Sequence, residues 1–408
     1  MKIFVLGGYG KTGKPAIELL ASSSLVSKIA VAGRNLEQAE KFAEEIGEKA
    51  IPVQVDGTDE QMLTSATEGF DFIVNAAFSD SVVSSIRAAI KNSAQYCDMA
   101  WGNILEQASQ LGPEAKAAGI TAIIANGVSP CISNLIGVHA AQQLEEVEQV
   151  QIGRADILNF QSGRELSPLQ WLKDPRESLD VLQEFKPTIG WILKRVEDNG
   201  IRIVLDYQDR NWVEIDPLRS GLDVPLAKGG RARLHPYMSG DDYWGMLPTD
   251  LSMISPVEMS FGPFPPQLNA VLQKQALDVL EGVIEAETAI NTFFNTIESD
   301  PQHWLTVPDN YIVPSKLWIS ALGRRDGRAA RFEAWFTMPM WNVNGYFLTS
   351  VALVAAVRKL ILGEVGEKGV LTAEKAFKPL AFLDEVAALI PDLLPKGEII
   401  NRSFDWME

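Results

Sequence analysis

The sequence predicts an α/β fold built on a doubly wound parallel sheet, and three observations carry that expectation. The chain opens on a short apolar run, Lys2-Ile3-Phe4-Val5-Leu6, which breaks at once into Gly7-Gly8-Tyr9-Gly10-Lys11-Thr12-Gly13. A helical apolar pattern follows at Ala16, Ile17, Leu19 and Leu20. Strand-like and helix-like segments then alternate through residue 125, the order that builds a parallel sheet with helices on both faces.

Strand, glycine turn and helix together open a dinucleotide-binding βαβ unit of the Rossmann type. Gly8, Gly10 and Gly13 fit the spacing G-x-G-x-x-G. In this reading Gly8 permits the tight turn, Gly10 lets a pyrophosphate reach the backbone, and Gly13 lets helix and strand pack closely. The phosphates then meet free N–H groups and the positive end of the helix dipole. Tyr9 and Thr12 lie in the same loop and count among the cofactor-binding residues. Pro15 suits the first helical turn, where its missing N–H costs little. The competing reading is a glycine turn between a core strand and a core helix. Gly8 through Lys14 also spells G-x-x-x-x-G-K, but the next residue is Pro15, which has no hydroxyl for magnesium. Nucleotide hydrolysis is therefore excluded.

The second strand is Lys28-Ile29-Ala30-Val31-Ala32-Gly33, ending at Arg34-Asn35. An NAD site places a carboxylate near this point to hold the ribose 2′-hydroxyl. Here the position carries Arg34, which suits a 2′-phosphate, with Asn35 able to add a hydrogen bond. NADP(H) is expected over NAD(H), with a solvated surface arginine as the alternative. Leu36 to Ile46 reads as an amphipathic helix and Ile51 to Asp56 as the third strand. Asp56 either meets the adenine amino group or caps the helix beginning near Glu60. Phe70 to Phe78 gives the fourth strand and its exit, where Asn75, Ala76 and Ala77 let a cofactor lie against the backbone. Ser81 to Lys91 is a helix, Gln95 to Asp98 a short strand, 104–118 a helix and Ile120 to Ala125 the sixth strand.

Composition narrows the function classes. The chain has 408 residues, enough for two or three domains, and its 46% hydrophobic content excludes a disordered chain. A formal net charge of −17 repels nucleic acid and anionic membranes, so neither is expected as a partner. Cys97 and Cys131 are too far apart for zinc or disulfide spacing, so no metal is expected and a reducing cytoplasm is. The apolar stretch Tyr346 to Val357 is too short to span a bilayer and reads as a buried helix.

Several stretches together resemble the saccharopine dehydrogenase family. They are the Gly8–Gly13 fingerprint, the Asn75-Ala76-Ala77 exit, Tyr96-Cys97-Asp98, and Asn126-Gly127-Val128-Ser129-Pro130. The far end adds Gly369-Val370-Leu371-Thr372-Ala373-Glu374 through Phe382-Leu383. Members of that family reduce an imine, formed from an amine and a carbonyl compound, with a nicotinamide hydride, or run the reaction in reverse. The resemblance implies an NADP-dependent oxidoreductase acting on a carbon–nitrogen bond of an amino-acid-like or polyamine-like substrate. It also implies a discontinuous fold. A dinucleotide-binding domain, 1–130, would be completed by a helical segment at 345–408, and 131–344 would form an α+β substrate domain. The sequence departs from the family's cysteine–glycine–x–aspartate–proline–glycine pattern: Asn126 replaces the cysteine and Ser129 the aspartate. Asn126 and Ser129 remain candidates for substrate binding. The departure opens two further readings, a non-catalytic NADP(H)-binding redox sensor and a carbonyl or enoyl reductase on the same scaffold.

Asp98 follows Tyr96 at a strand tip close to where a nicotinamide should lie. Together they form the catalytic candidate pair: a partly buried carboxylate there has a raised pKa and exchanges a proton. The alternative is a carboxylate that caps a helix or binds a backbone N–H. Cys97 should point into the core, and His139 reads as a core histidine. A short-chain dehydrogenase is disfavoured, because no tyrosine is followed four residues later by lysine.

In the middle, Val147 to Leu158 is strand-like and 165–199 is helical, with Trp171 and Trp191. Ile201 to Tyr207 alternates as a half-buried strand should, while 212–267 is dense in Pro, Gly and aromatics and is expected to be irregular. Within it, Arg231, Arg233 and His235 share one face if they lie on a strand. That face either holds a substrate carboxylate and supplies a proton, or is a solvated, salt-bridged strand. Ser239 to Gly245 is a candidate lid whose Asp241 and Asp242 lack the partners of a calcium loop. Residues 268–298 read as one long helix, and Ala329 to Thr337 as a strand with Ala330, Phe332, Ala334 and Phe336 on one face. A homodimer through this middle-domain sheet is expected.

Overall fold

The computed structural model describes residues 1–77, 79–100, 104–157, 183, 186–199, 205–208, 211–214, 222–225, 231–234, 257–264, 267–305, 317–336, 345–394 and 398–407. Trp171, His235, the 239–245 lid candidate and residues 201–204 lie outside them.

The chain begins as its apolar pattern requires. The first elements are β1 (Lys2–Leu6), α1 (Gly13–Ala21), β2 (Lys28–Gly33), α2 (Leu36–Ile46) and β3 (Ala50–Gln54). Next come α3 (Glu60–Ala66), β4 (Phe72–Asn75), α4 (Val82–Asn92), β5 (Gln95–Asp98) and, after two short helices, β6 (Thr121–Ile124). Ile3 to Leu6 are buried on both strand faces, which explains why β1 reads as a continuous apolar run rather than an alternating one. Phe4 meets Phe70 edge-on at 5.4 Å, and β4, β5 and β6 bury Ile73, Tyr96, Ala122 and Ile124 in the same core.

All pairings in this sheet are parallel. Its order is Gly369–Thr372, β6, β5, β4, β1, β2, β3. The strand order therefore reverses between β1 and β4, and in open α/β sheets ligands sit beyond the carboxyl ends of the strands at such a switch point. The seventh strand, Gly369–Thr372, comes from the C-terminal segment. With only four residues, it was concealed in what the sequence presents as a helical tail.

The second sheet is mixed, in the order Ile400–Trp406, Arg328–Phe336, Leu317–Arg325, Glu146–Ile157, Val257–Phe264, Leu205–Gln208, Asn211–Glu214. Only Val257–Phe264 and Glu146–Ile157 run parallel within it, among the described residues. Helices Lys186–Asn199, Gln267–Leu280 and Ala286–Ser299 share a core of Leu193, Leu272, Phe293 and Ile297. This is the α+β middle that the sequence implies. Ala330, Phe332 and Ala334 are buried while Arg331, Glu333 and Trp335 are partly exposed, the alternation of a strand with one covered face.

Several boundaries differ from expectation. The helix expected over 268–298 is two helices separated at 281–285, where Gly282 takes φ +71°. The helix expected over 104–118 breaks into Ile104–Gln110 and Gly112–Ala117, the second with Pro113 in its first turn. The stretch 212–267, expected to be irregular, contains strands Leu222–Pro225, Arg231–Leu234 and Val257–Phe264. Domain edges shift too. One compact unit includes Met1–His139 and Gly345–Ile399, and the final strand joins the other unit. Helix Ile132–Ala141 is buried from Ile132 to Ala140, and its residues through His139 count with the first unit. Ile400–Trp406 leaves that unit because it pairs along its whole length with Arg328–Phe336. Among the described residues, no helix is long and apolar enough to cross a membrane.

Candidate functional site

The segments singled out at the ends of β1 to β6 all lie at the carboxyl ends of one parallel sheet. One of them, the glycine loop after β1, forms a cradle. At the end of β1, the tight turn is made by Gly7 rather than by Gly8 as expected: Gly7 takes φ +74°, and a Cβ there would sit 2.8 Å from the Ala76 carbonyl. Gly8 is small for another reason, because its Cβ would strike Ile17 at 2.8 Å and the Val5 carbonyl at 3.0 Å. Gly13 crosses the loop so closely that a Cβ would stand 2.0 Å from the Gly7 oxygen. Gly10 meets only that same oxygen, at 3.1 Å, so space remains on its outer side. The cradle fits a pyrophosphate: its backbone is bare, and α1 has no side-chain cap at Thr12 and no acid in its first turn. Thr12 itself is buried, and its carbonyl accepts the Ser350 hydroxyl at 2.7 Å. Its part is to fasten the loop to helix Gly345–Ile361.

At the end of β2, Arg34 and Asn35 are exposed. Asn35 caps α2, its Oδ1 accepting the Gln38 N–H at 3.0 Å. The Tyr9 hydroxyl accepts the Asn35 backbone N–H at 2.8 Å, and the Tyr9 ring fills the space that a side chain on Gly33 would need. At the end of β3, Asp56 does not cap α3. Asp59 does, accepting from Gln61 and Met62. Asp56 instead folds its own turn, accepting the Thr58 N–H at 2.9 Å and hydroxyl at 2.8 Å. These bonds, with help from the Arg34 charge, hold its carboxyl below the ordinary value.

At the end of β4, Asn75 is 1% exposed. Its Oδ1 accepts the Ala77 N–H at 3.0 Å, and its Nδ2 donates to Ser81 at 3.0 Å and to the Tyr96 hydroxyl at 3.4 Å. Asn75 thus shapes the Ala76–Ala77 exit from beneath. Tyr96 continues the chain of bonds, donating to Asp98 Oδ2 at 3.0 Å. Asp98 Oδ1 accepts the N–H groups of Ala100 at 3.0 Å and Ala125 at 2.7 Å. The second bond holds Ala125 in a left-handed conformation, φ +65°, which costs a non-glycine residue about 1 kcal/mol.

The two catalytic candidates lie inside this network. Tyr96 is 0% and Asp98 1% exposed, and both are spent on each other and on backbone. Their bonds brace the turn after β6. Asn126 and Ser129, the two altered positions, are also buried. Asn126 donates to the carbonyls of Asp98 at 3.1 Å and Ile123 at 2.8 Å, so it staples β5 to β6. Ser129 accepts the Ser133 hydroxyl at 2.9 Å. Cys97, Cys131 and His139 are buried, and burial pushes both thiols up. Arg231 and Arg233 do lie on a strand, with Arg233 in register opposite Asp223; His235 lies outside the described residues.

Burial raises the Asp98 carboxyl from an ordinary 3.8 to about 6, against the pull of its three donors. The folded state therefore binds the proton more tightly than the unfolded chain. The contribution is fully present below the unfolded pKa and is lost as pH rises through about 6. The stability difference between wild type and Asp98→Asn should shift against wild type by up to about 3 kcal/mol between pH of about 4 and 7. Urea unfolding of both proteins across that range checks it, and parallel curves would contradict it.

Comparison with known proteins adds a family. Residues 3–123 match the family model described as saccharopine dehydrogenase NADP binding domain. Among solved structures, apo histidine-tagged saccharopine dehydrogenase (L-Glu forming) from Saccharomyces cerevisiae is similar over 99% of this chain and 99% of that one. Its TM-score is 0.65 at 14% identity. Homospermidine synthase from Legionella pneumophila, in complex with NAD, is similar over 100% of this chain and 91% of its own, with TM-score 0.54 at 10% identity. At these identities the likeness is one of fold, and it extends along the full chain. The likeness to an NADP binding domain of the saccharopine dehydrogenase type thus covers residues 3–123.

Proposed function

We propose that this chain, built on a saccharopine dehydrogenase-type NADP-binding domain, is an NADP-dependent oxidoreductase. Its reaction would join an amine and a carbonyl compound through an imine, or split the resulting secondary amine, with an amino-acid-like or polyamine-like substrate. The observation that carries this reading is the convergence of the glycine cradle, Arg34–Asn35, the Asn75–Ala77 exit and the Asp98-braced turn at one edge of a single parallel sheet. The full-length fold likeness supports it.

When bound, NADPH would supply the hydride; the protein supplies binding and orientation. Gly7 to Gly13 hold the pyrophosphate against bare backbone. Arg34 meets the 2′-phosphate and sets the preference for NADP over NAD. Asn75 keeps Ala76 and Ala77 close to the cofactor, and Asp56 shapes the turn beneath the adenine. Tyr96, Asp98 and Asn126 fix the turn that borders the reacting end. Arg231, Arg233 and His235 are the proposed anchors for a substrate carboxylate.

Incubating the protein with NADPH, an α-keto acid or aldehyde, and an amine tests the reading by the mass of the product. A secondary amine, equal to the two reactants less water plus two hydrogens, is expected. An alcohol formed from the carbonyl alone would favour a carbonyl reductase on the same scaffold instead.

A further inference from the structure

The glycine loop and the tip of β2 are joined by a contact that cofactor cradles do not require. The Tyr9 side chain reaches from the loop to the end of β2. There its ring lies on Gly33, and its hydroxyl accepts the Asn35 N–H at 2.8 Å. A phenol oxygen that accepts a hydrogen bond still has its own proton to donate. Among the described residues no acceptor takes that proton, and Tyr9 is partly exposed.

Its neighbours are in the same condition. Arg34 is exposed, with its carbonyl taken by the Gln54 side chain at 3.1 Å and its guanidinium in no hydrogen bond among the described residues. Asn35 spends its Oδ1 on the Gln38 N–H, which leaves its side-chain N–H groups available. Three unspent donor groups thus cluster at the tip of β2. Two acids are near in sequence or field: Glu37 in the first turn of α2, and Asp56, which Arg34 influences but whose Oδ1 is committed to Thr58. Neither accepts from Tyr9, Arg34 or Asn35 by a hydrogen bond among the described residues.

We propose that the Tyr9 hydroxyl is a specificity-determining donor of this domain, giving its proton to the 2′-phosphate of NADP while the Asn35 N–H fixes its lone pair. The inference rests on the NADP reading above and adds a residue from the pyrophosphate loop to a site otherwise made by the end of β2. A hydrogen bond to a charged group contributes enough for roughly tenfold or greater discrimination. A nucleotide with a free 2′-hydroxyl gains much less from it.

The test is Tyr9→Phe, which keeps the ring on Gly33 and removes only the hydroxyl. Calorimetric titration of the full chain, wild type and variant, would use four probes: NADPH, NADH, adenosine 2′,5′-bisphosphate and adenosine 5′-phosphate. The variant should lose about tenfold or more in affinity for the two 2′-phosphorylated probes and hold its affinity for the other two. Those two also report that the site is folded. Equal loss on all four would make Tyr9 a mere brace of the loop and overturn the proposal, and no loss on any would overturn it as well. A wild type that binds the two adenosine phosphates equally would instead overturn the NADP site assignment on which the proposal rests.

Discussion

Arg34→Asp should cut NADPH affinity about a hundredfold while sparing NADH. Arg34 stands exposed at the end of β2, where the βαβ unit presents the adenosine ribose to the protein. On the proposed reading its guanidinium would make a charge-assisted contact of about 1.5–3 kcal/mol with the 2′-phosphate, and an aspartate there would replace attraction with repulsion. Asp56, whose carboxyl already feels the Arg34 charge, would then add a second negative charge without a counterion. A ribose with a free 2′-hydroxyl suffers neither loss, because a carboxylate accepts its hydrogen bond. Parallel titrations with the two nucleotides measure the effect. Equal weakening of both would mean that Arg34 merely solvates the strand end.

Gly13→Ala should destabilise the nucleotide-binding unit by about 3 kcal/mol or more and abolish binding of either nucleotide. The new methyl group would stand 2.0 Å from the Gly7 oxygen and 2.8 Å from the Gly8 Cα. Both are backbone, so no side chain can rotate out of the way. Relief requires α1 to lift from the loop, which breaks the Lys14 N–H to Gly10 carbonyl bond at 3.0 Å and opens the cradle. Gly47→Ala is the control. Gly47 has φ +92° and ψ −156°, a region open essentially to glycine, but nothing within 4 Å of its missing Cβ, so conformational strain alone is expected, on the order of 1–3 kcal/mol. Chemical denaturation of the two variants separates crowding from strain, and similar losses would contradict the crowding argument.

What the sequence made legible was local. A strand, a glycine loop and a helix occupy adjacent residues, and their chemistry is written in order, so the glycine loop and the tip of β2 are legible in the sequence. The turn residue was misassigned to Gly8 because adjacent glycines are indistinguishable by pattern; only φ and the approach of Ala76 separate them. The position of Asp98 at a strand tip is readable in the sequence, whereas its near-complete burial and its bond to Ala125 depend on β6, 27 residues away. The strands Leu317–Arg325 and Ile400–Trp406 were missed for a related reason. The first is buried on both faces over most of its length and shows no alternation, and the second exists through its pairing with Arg328–Phe336. The two altered positions, Asn126 and Ser129, are candidates for substrate binding in the sequence, and in the fold they hydrogen-bond to Asp98, Ile123 and Ser133, contacts that no local pattern reveals.

The most direct test of the central claim is NADPH consumption by the full-length protein, followed by nicotinamide absorbance. The reactants would be a panel of α-keto acids and aldehydes, each with and without amines. Imine reduction predicts loss of absorbance only when a carbonyl compound and an amine are both present. Consumption with the carbonyl alone, or none with any pair despite tight NADPH binding, would contradict it.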